Sequence, residues 1–236
     1  MADPPAGTIA YRKANLLGGT DDFSVTLQDF GAIGFDYLRG SSYLGQSGTN
    51  GFFVNQSCVF GVPILVEDVR TDTVTYADIV VTGTAYLVDN DSGGILATFD
   101  LQDSSATFDF EGNAAEPIEG KVNTTIQLRG REVQNDGSLS QTVTEFRSVD
   151  DIETFLIFGD SDRNRDLGAF EGDFFVQDPF TFRGRLTGWF YGPDAVEAGY
   201  AFQVDYFQEK ETGPPPTSDG RGLDKVHIVG RVLAKQ

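Results

Sequence analysis

Five oxygen-bearing side chains recur at set positions in one polar stretch and could bind a calcium ion. The stretch is DSDRNRDLGAFE, residues 160–171, and its acidic and amide side chains match positions 1, 3, 5, 7 and 12 of an EF-hand-type loop. Against this, Arg165 stands where that loop needs Gly, and the flanking segments are typical of strands. The pattern therefore leaves open a calcium site, in a calcium-stabilised structural β protein, and a plain acidic hairpin tip. The candidate ligands are Asp160, Asp162, Asn164, Asp166 and Glu171.

Residue types that commonly perform catalysis are scarce in this chain. It has one histidine, His227, one cysteine, Cys58, and no GxSxG motif. In KVHIVG, strand alternation places Val226 and Ile228 on one face and His227 on the other, so we expect a solvent-facing histidine. Cys58 lies in the apolar run QSCVFGVPILV, and we expect a buried small hydrophobe that is not a nucleophile. We therefore expect no enzymatic activity.

Alternation of apolar and polar residues predicts an all-β fold. Aromatic residues make up 12% of the chain and there are 28 glycines, a composition that favours strands and tight turns. From residue 74 onward the pattern predicts eight to ten strands at the short, even spacing of a meander or barrel. We expect the first of these, residues 74–89, to be interrupted at Gly83. The other predicted strands are residues 22–30, 94–102, 106–112, 121–133, 140–148, 153–159, 169–178, 180–192, 200–210 and 225–235.

The N-terminal part of the chain is less regular. Residues 37–53, YLRGSSYLGQSGTNGFF, are predicted to form a Gly/Ser loop that carries aromatic residues. Loops rich in Tyr, Ser, Gly and Asn make adaptable contact surfaces, so this one is a candidate for binding a protein partner. We place a boundary near residues 67–73, which gives an N-terminal β domain over 1–72 and a C-terminal β domain over 73–236.

The overall charge restricts the possible partners. The formal net charge is −19, and such an acidic surface repels nucleic acid and anionic membranes. The longest apolar run, VFGVPILV, is too short to span a bilayer, so we expect no transmembrane segment. ADPPAG, which follows Met1, is typical of a mature chain from which a signal peptide has been removed. These features favour a secreted protein.

One short stretch, GWFYGPDAVEAGYAF at residues 188–202, predicts a helical corner between two strands. Pro193 suits the first position of such a turn, Asp194 and Glu197 suit its positive end, and Gly199 could terminate it. The pattern GxFYGPxAxExGxxF resembles the barrel signature of transferrin-binding protein B and its relatives, and the ending VGRVLAKQ resembles their closing strand. The matching residues are Gly188, Phe190, Tyr191, Gly192, Pro193, Ala195, Glu197, Gly199 and Phe202; Tyr200 departs from the second Gly that is usual there.

The resemblance covers the C-terminal third and implies a fold and a general role. The fold would be an N-terminal β handle followed by an eight-stranded antiparallel up-and-down β-barrel. Relatives include factor H-binding lipoproteins and secreted hemophilins of Gram-negative bacteria, which bind iron or haem carriers, haem or immune proteins. The resemblance therefore implies a secreted or surface-exposed binding protein with a TonB-dependent receptor as partner. The alternative is a protein-binding adhesin or immune-evasion module.

Haem is a candidate cofactor because of this resemblance. Hemophilin-like relatives place histidine on N-terminal loops, but this chain has no histidine before His227. The remaining candidates for an axial ligand are Tyr37 and Tyr43, and Arg39 could pair with a haem propionate. Two other roles remain open for the tyrosines: they could pack within the handle or contact a protein partner.

Overall fold

The residues that the structure describes form β-strands and one short turn of 3-10 helix. A computed structural model describes residues 8–14, 22–28, 34–46, 53–62, 64, 71–112, 120–147, 149–157, 168–176, 182–209 and 222–236. Within those ranges no helix has the length and apolar character needed to cross a membrane. The all-β prediction is confirmed. The strands are β1 Thr8–Ala14, β2 Asp22–Gln28, β3 Leu38–Gln46, β4 Phe53–Gly61, β5 Val74–Thr75, β6 Asp78–Asp89, β7 Ile95–Asp100, β8 Ser105–Gly112, β9 Gly120–Gln127, β10 Arg129–Val133, β11 Leu139–Glu145, β12 Val149–Ile157, β13 Ala169–Val176, β14 Phe182–Tyr191, β15 Glu197–Glu209 and β16 Leu223–Lys235.

The first four strands form a separate antiparallel sheet in the order β1-β2-β3-β4. The prediction of a loop over residues 37–53 is wrong for residues 38–46, which form β3, and residues 47–52 lie outside the described residues. Its Gly and Ser residues indicated a loop by composition. However, β3 pairs with β2 along one edge and with β4 along the other, and these ladders supply its backbone partners.

The other twelve strands form a second sheet that runs mostly in chain order. Four pairs of consecutive strands are bent strands: β5 and β6 are separated by Tyr76 and Ala77, β7 and β8 by residues 101–104, β9 and β10 by Leu128, and β11 and β12 by residues 146–148. When each pair is counted as one strand, eight antiparallel strands remain, and each pairs with the next one along the chain. This is an up-and-down arrangement.

The last strand of this sheet lies beside the first. β16 pairs with β6 along Asp78–Asp89, and the short β5 pairs with β8. The break expected at Gly83 instead lies at Tyr76 and Ala77, where the backbone N–H groups donate to two different neighbours, Phe108 and Lys235. Gly83 lies inside β6, opposite Gly230. These pairings are those that an eight-stranded barrel requires; barrel closure itself stays a prediction.

Aromatic side chains make up much of the buried core of the second sheet. Phe108 is central: its ring centroid lies 5.0 Å from that of Tyr76, 5.6 Å from Phe170 and 5.9 Å from Tyr200. The buried Tyr200 hydroxyl lies 2.6 Å from Thr124 Oγ1, so its polar end is satisfied inside the core. Tyr200, which departs from the signature, therefore serves as a core residue.

Candidate ligand-binding groove between the two sheets

A buried carboxylate joins the N-terminal sheet to the second sheet. Glu197, at the start of β15, is 0% exposed. Its Oε1 accepts a hydrogen bond from the backbone N–H of Asp36 at 2.7 Å, and its Oε2 accepts one from Tyr37 at 2.9 Å. Lys235 Nζ lies 3.8 Å from the same carboxylate. The acidic residue of the signature thus satisfies two backbone donors at the point where β3 begins.

The corner before β15 makes a second connection between the sheets. A 3-10 turn, Pro193–Ala195, follows Gly192, which has a φ of 74° and whose backbone N–H donates to Val62 O at 3.0 Å. A Cβ on Gly192 would lie 2.5 Å from Tyr37 Cδ2, so the tyrosine ring packs directly on this glycine. Pro193 starts the turn as predicted. The predictions that Glu197 lies in the turn and that Gly199 ends it are wrong, since both lie in β15.

Apolar packing completes this junction. Phe35, Leu38 and Val59 of the N-terminal part form one buried cluster with Tyr191 and Leu233 of the second sheet. Gly199 allows the close approach, because a Cβ there would lie 3.0 Å from Val59 Cγ1. Beside the cluster, Arg231 Nη1 donates to Ser42 Oγ at 3.2 Å, and burial lowers the pKa of Arg231 to about 10.

A cavity of about 440 Å³ opens beside the junction, and we call it the wall groove. One side is β4, from Gln56 to Val59; the other side is the outer surface of β14, β15 and β16. Alternate residues of β14 point outward into it while their neighbours are buried in the core, which follows from the two-residue period of a strand. The lining residues are Gln56, Ser57, Cys58, Val59, Arg185, Thr187, Trp189, Ala201, Phe202, Gln203 and Val229.

The wall groove combines an aromatic surface with neutral polar groups. Trp189 is the only tryptophan of the chain, and Cys58 is its only cysteine. The prediction that Cys58 is buried is wrong: its side chain is exposed, because the edge of β4 faces the groove and not the core. Among the described lining residues Arg185 alone is charged, and it pairs with Glu171 at 2.7 Å and Asp173 at 3.8 Å. A volume of this size suits a small molecule or a short segment of polypeptide.

The residues proposed for haem lie in different surroundings. Tyr37 is half-buried at the junction, where its ring packs on Gly192. Arg39 Nη1 donates to three backbone carbonyl oxygens, those of Phe35 at 3.1 Å, Leu38 at 2.7 Å and Asp36 at 3.4 Å. Tyr43 lies in β3, opposite Gln56 of β4, but its side chain lies outside the described residues. Neither Tyr37 nor Arg39 belongs to the described lining of the wall groove.

Most of the candidate calcium loop lies outside the described residues. This holds for Asp160, Asp162, Asn164 and Asp166. Glu171 lies in β13, where its carboxylate pairs with Arg185. In the described part of the chain, no three His, Cys, Asp or Glu side chains are grouped so that they could hold a metal ion.

His227 lies in a polar cluster on the outer surface of the second sheet. Its Nδ1 lies 2.9 Å from Asp205 Oδ1, and the same carboxylate pairs with Lys225 at 2.8 Å and with Gln203 at 2.9 Å. Burial would raise the pKa of Asp205, but the hydrogen bonds from His227, Lys225 and Gln203 hold it well below its usual range. The predicted face of His227 agrees with the burial of Val226 and Ile228.

Two features of the site were not predicted from the sequence. No role was predicted for Trp189, although strand alternation places it on the outward face of β14 together with Arg185 and Thr187. The second feature is the absence of charged residues over residues 40–66 in a chain of net charge −19, which distinguishes β3 and β4 from the rest of the chain.

No family model matches this chain, and a comparison with curated proteins found no match.

Proposed function

We propose that this protein is a secreted or surface-exposed bacterial binding protein that captures haem or an iron carrier for a TonB-dependent receptor. The observation that supports it best is the wall groove, which is lined by residues of both sheets. The buried face of the second sheet is packed with aromatic and aliphatic side chains, so we place the ligand on its opposite, outer face. Binding sites in β proteins commonly lie on such outer edges and loops of a rigid scaffold.

The chemistry of the groove is compatible with a flat aromatic ligand. Trp189, Val59 and Val229 offer apolar contacts, and Thr187 and Gln203 offer hydrogen-bonding groups around them. Tyr37 and Tyr43 remain our candidates for an axial ligand, with Arg39 as a partner for a propionate. Binding at the groove and ligation by these tyrosines are separate hypotheses, because Tyr37 is not among the described lining residues and the side chain of Tyr43 lies outside the described residues.

Titration with hemin tests the haem part of this proposal. We expect a Soret band that saturates at one equivalent, with quenching of the Trp189 emission. Thr187→Phe should abolish both signals by filling the groove, whereas Thr142→Phe, on the exposed β11, should leave them unchanged. Loss of the Soret shift in Tyr37→Phe or Tyr43→Phe would identify the ligand.

The carrier part needs a separate measurement. Immobilised protein should retain haemoglobin or transferrin in a surface plasmon resonance experiment if it captures an iron carrier. A flat hemin titration together with no binding of either carrier would contradict the proposal.

A protein partner without iron is the second candidate, favoured by exposed apolar side chains at the end of β4 and directly after it. Phe60 is 45% and Val62 is 60% exposed, and both lie in the uncharged stretch over residues 40–66. Exposed apolar groups of this kind are common at protein interfaces. This reading corresponds to the adhesin or immune-evasion alternative, and Phe60→Ser should then weaken cell or serum-protein binding without changing the hemin titration.

Calcium is a third, separate hypothesis for residues 160–171. If the loop binds Ca²⁺ in the folded state only, millimolar Ca²⁺ should raise the melting temperature relative to EDTA. An unchanged melting temperature would discard the site. Asp162→Asn is the variant to compare, and Asp173→Asn, which lies outside the candidate ligand set, is its control.

A further inference from the structure

β4 ends the N-terminal sheet, and its free edge faces the wall groove. In the strand order β1-β2-β3-β4, the described residues of β4 pair along one edge only, with β3. In an antiparallel pair, alternate residues direct their N–H and C=O groups away from the partner strand. Gln56, Ser57, Cys58 and Val59 are consecutive and all four line the cavity, which places an edge of β4, and not just one face, against it; because β3 covers the other edge, this is the second edge. The groove therefore contains backbone hydrogen-bonding groups as well as side chains.

The side of the groove that β14 forms is long enough to accommodate one additional strand. Arg185, Thr187 and Trp189 project into it from alternate positions of β14, over a length similar to that of Gln56–Val59. Four or five strand residues extend over roughly 13–17 Å. β4 and the corner meet where Gly192 N–H donates to Val62 O, and the described lining residues extend from Val59 and Trp189 to Gln56 and Arg185.

We propose that the wall groove binds an extended segment of a partner protein, which adds to the N-terminal sheet as a fifth strand beside β4. Strand addition to a free edge obtains its affinity from main-chain hydrogen bonds and its specificity from the side-chain pockets on either side. Here those pockets would be formed by Trp189 and Val229 on one side and by Ser57 and Val59 on the other. This inference deepens the carrier part of the proposed function by naming what is recognised.

Charge restricts the segment to a neutral or basic one. At one end of the groove, Glu171 and Asp173 outnumber Arg185, and the chain as a whole carries a net charge of −19. An acidic segment would be repelled by both. At the other end, the exposed Phe60 and Val62 offer apolar contacts. We therefore expect alternating β-branched residues with a lysine or arginine at the end nearest Asp173.

A short blocked peptide tests this inference directly. The probe is acetyl-Lys-Thr-Val-Thr-Val-Lys-amide, and the readout is the emission of Trp189, the only indole of the chain. We expect a saturable shift of the emission with wild-type protein and with Thr142→Phe. With Thr187→Phe the apparent Kd should rise at least tenfold, because the added ring occupies the groove. The same peptide with Glu in place of both Lys residues should bind to wild-type protein more weakly than the parent peptide does.

N-methylated peptides separate strand pairing from simple apolar binding. Two isomers are needed, each N-methylated at alternate residues, so that each loses the N–H groups of one edge. Strand addition predicts that one isomer binds like the parent and the other does not bind. Equal binding of both isomers, equal binding by Thr187→Phe, or no response to the parent peptide at millimolar concentration would each overturn the inference. Peptide binding without any response to hemin, haemoglobin or transferrin would contradict the proposed function and leave this inference standing.

Discussion

Glu197 is a buried carboxylate whose two hydrogen bonds both cross from one sheet to the other. Burial of an unpaired carboxylate is costly, and the fold meets this cost with the backbone donors of Asp36 and Tyr37 and with the nearby Lys235 ammonium. The same residue is one of the matched positions of the signature. Its position at the junction accounts for a glutamate there in structural terms.

Replacement of this residue should weaken the whole protein. In Glu197→Gln, the amide nitrogen would face one of the two backbone donors, so a charge-assisted hydrogen bond is lost and a donor is left unsatisfied. We expect the free energy of unfolding to fall by about 2–4 kcal/mol. Urea denaturation followed by far-UV circular dichroism measures this. Glu209→Gln, at the exposed end of β15, is the control and should stay within about 0.5 kcal/mol of wild type.

Asp205 should make stability depend on pH at the acid end. The hydrogen bonds from His227, Lys225 and Gln203 lower its pKa in the folded state, so their stabilisation is complete above the unfolded value of about 3.9. It is lost progressively as the pH falls below that value. The stability of wild type should therefore decline more steeply between about pH 4 and pH 2 than that of Asp205→Asn. The exposed Asp173→Asn should keep the wild-type slope; equal slopes in all three proteins would contradict this assignment.

At the scale of elements, the corner between β14 and β15 determines how the N-terminal sheet docks. Three of the four residues from 192 to 195 have positive φ: Gly192 at 74°, Asp194 at 54° and Ala195 at 51°, with Pro193 between the first two. This backbone brings Gly192 under the Tyr37 ring and leaves Tyr76 to donate its hydroxyl hydrogen to Ala195 O at 2.6 Å. The turn is thus fixed by contacts on both sides of it.

Gly192→Ala should loosen this docking. A Cβ there meets a strained left-handed backbone and overlaps the Tyr37 ring, so we expect a loss of about 2–3 kcal/mol. The Trp189 emission should also move to longer wavelength, because Trp189 packs against the junction cluster. Gly94→Ala is a suitable control, since a Cβ there would meet only Ser92 Oγ at 3.3 Å. An unchanged emission in Gly192→Ala would show that the corner does not hold the N-terminal sheet.

Strands were predicted correctly where apolar and polar residues alternate over a long stretch. The predictions failed where strand formation depends on pairing between distant segments. The all-β class and the strands after residue 74 followed from local alternation, which depends on burial of one face. The strand character of β3 did not, because its Gly and Ser residues form a strand only through pairing with β2 and β4. The exposure of Cys58 was not predicted either. It depends on how β4 packs beside β14, and local alternation carries no information on this tertiary contact.

At the scale of the whole molecule, charge and apolar surface are distributed unequally. Residues 40–66 contain no charged side chain, and this stretch includes most of β3 and all of β4. One face of these strands packs on the second sheet, while Phe60 and Val62 remain exposed. An acidic protein with a local uncharged surface resists general association through charge repulsion and leaves one region at which a partner can approach.

Alanine substitution of two buried leucines tests whether the junction and the second sheet unfold separately. Leu38 belongs to the cluster between the sheets and Leu101 to the aromatic core, and both are 0% exposed, so each Leu→Ala change should cost about 2–5 kcal/mol. In Leu38→Ala, the urea midpoint from Trp189 emission should fall below that from far-UV circular dichroism, because the junction opens while the core persists. In Leu101→Ala the two midpoints should fall together. Coincident midpoints in Leu38→Ala would instead mean that the two sheets unfold as a single cooperative unit.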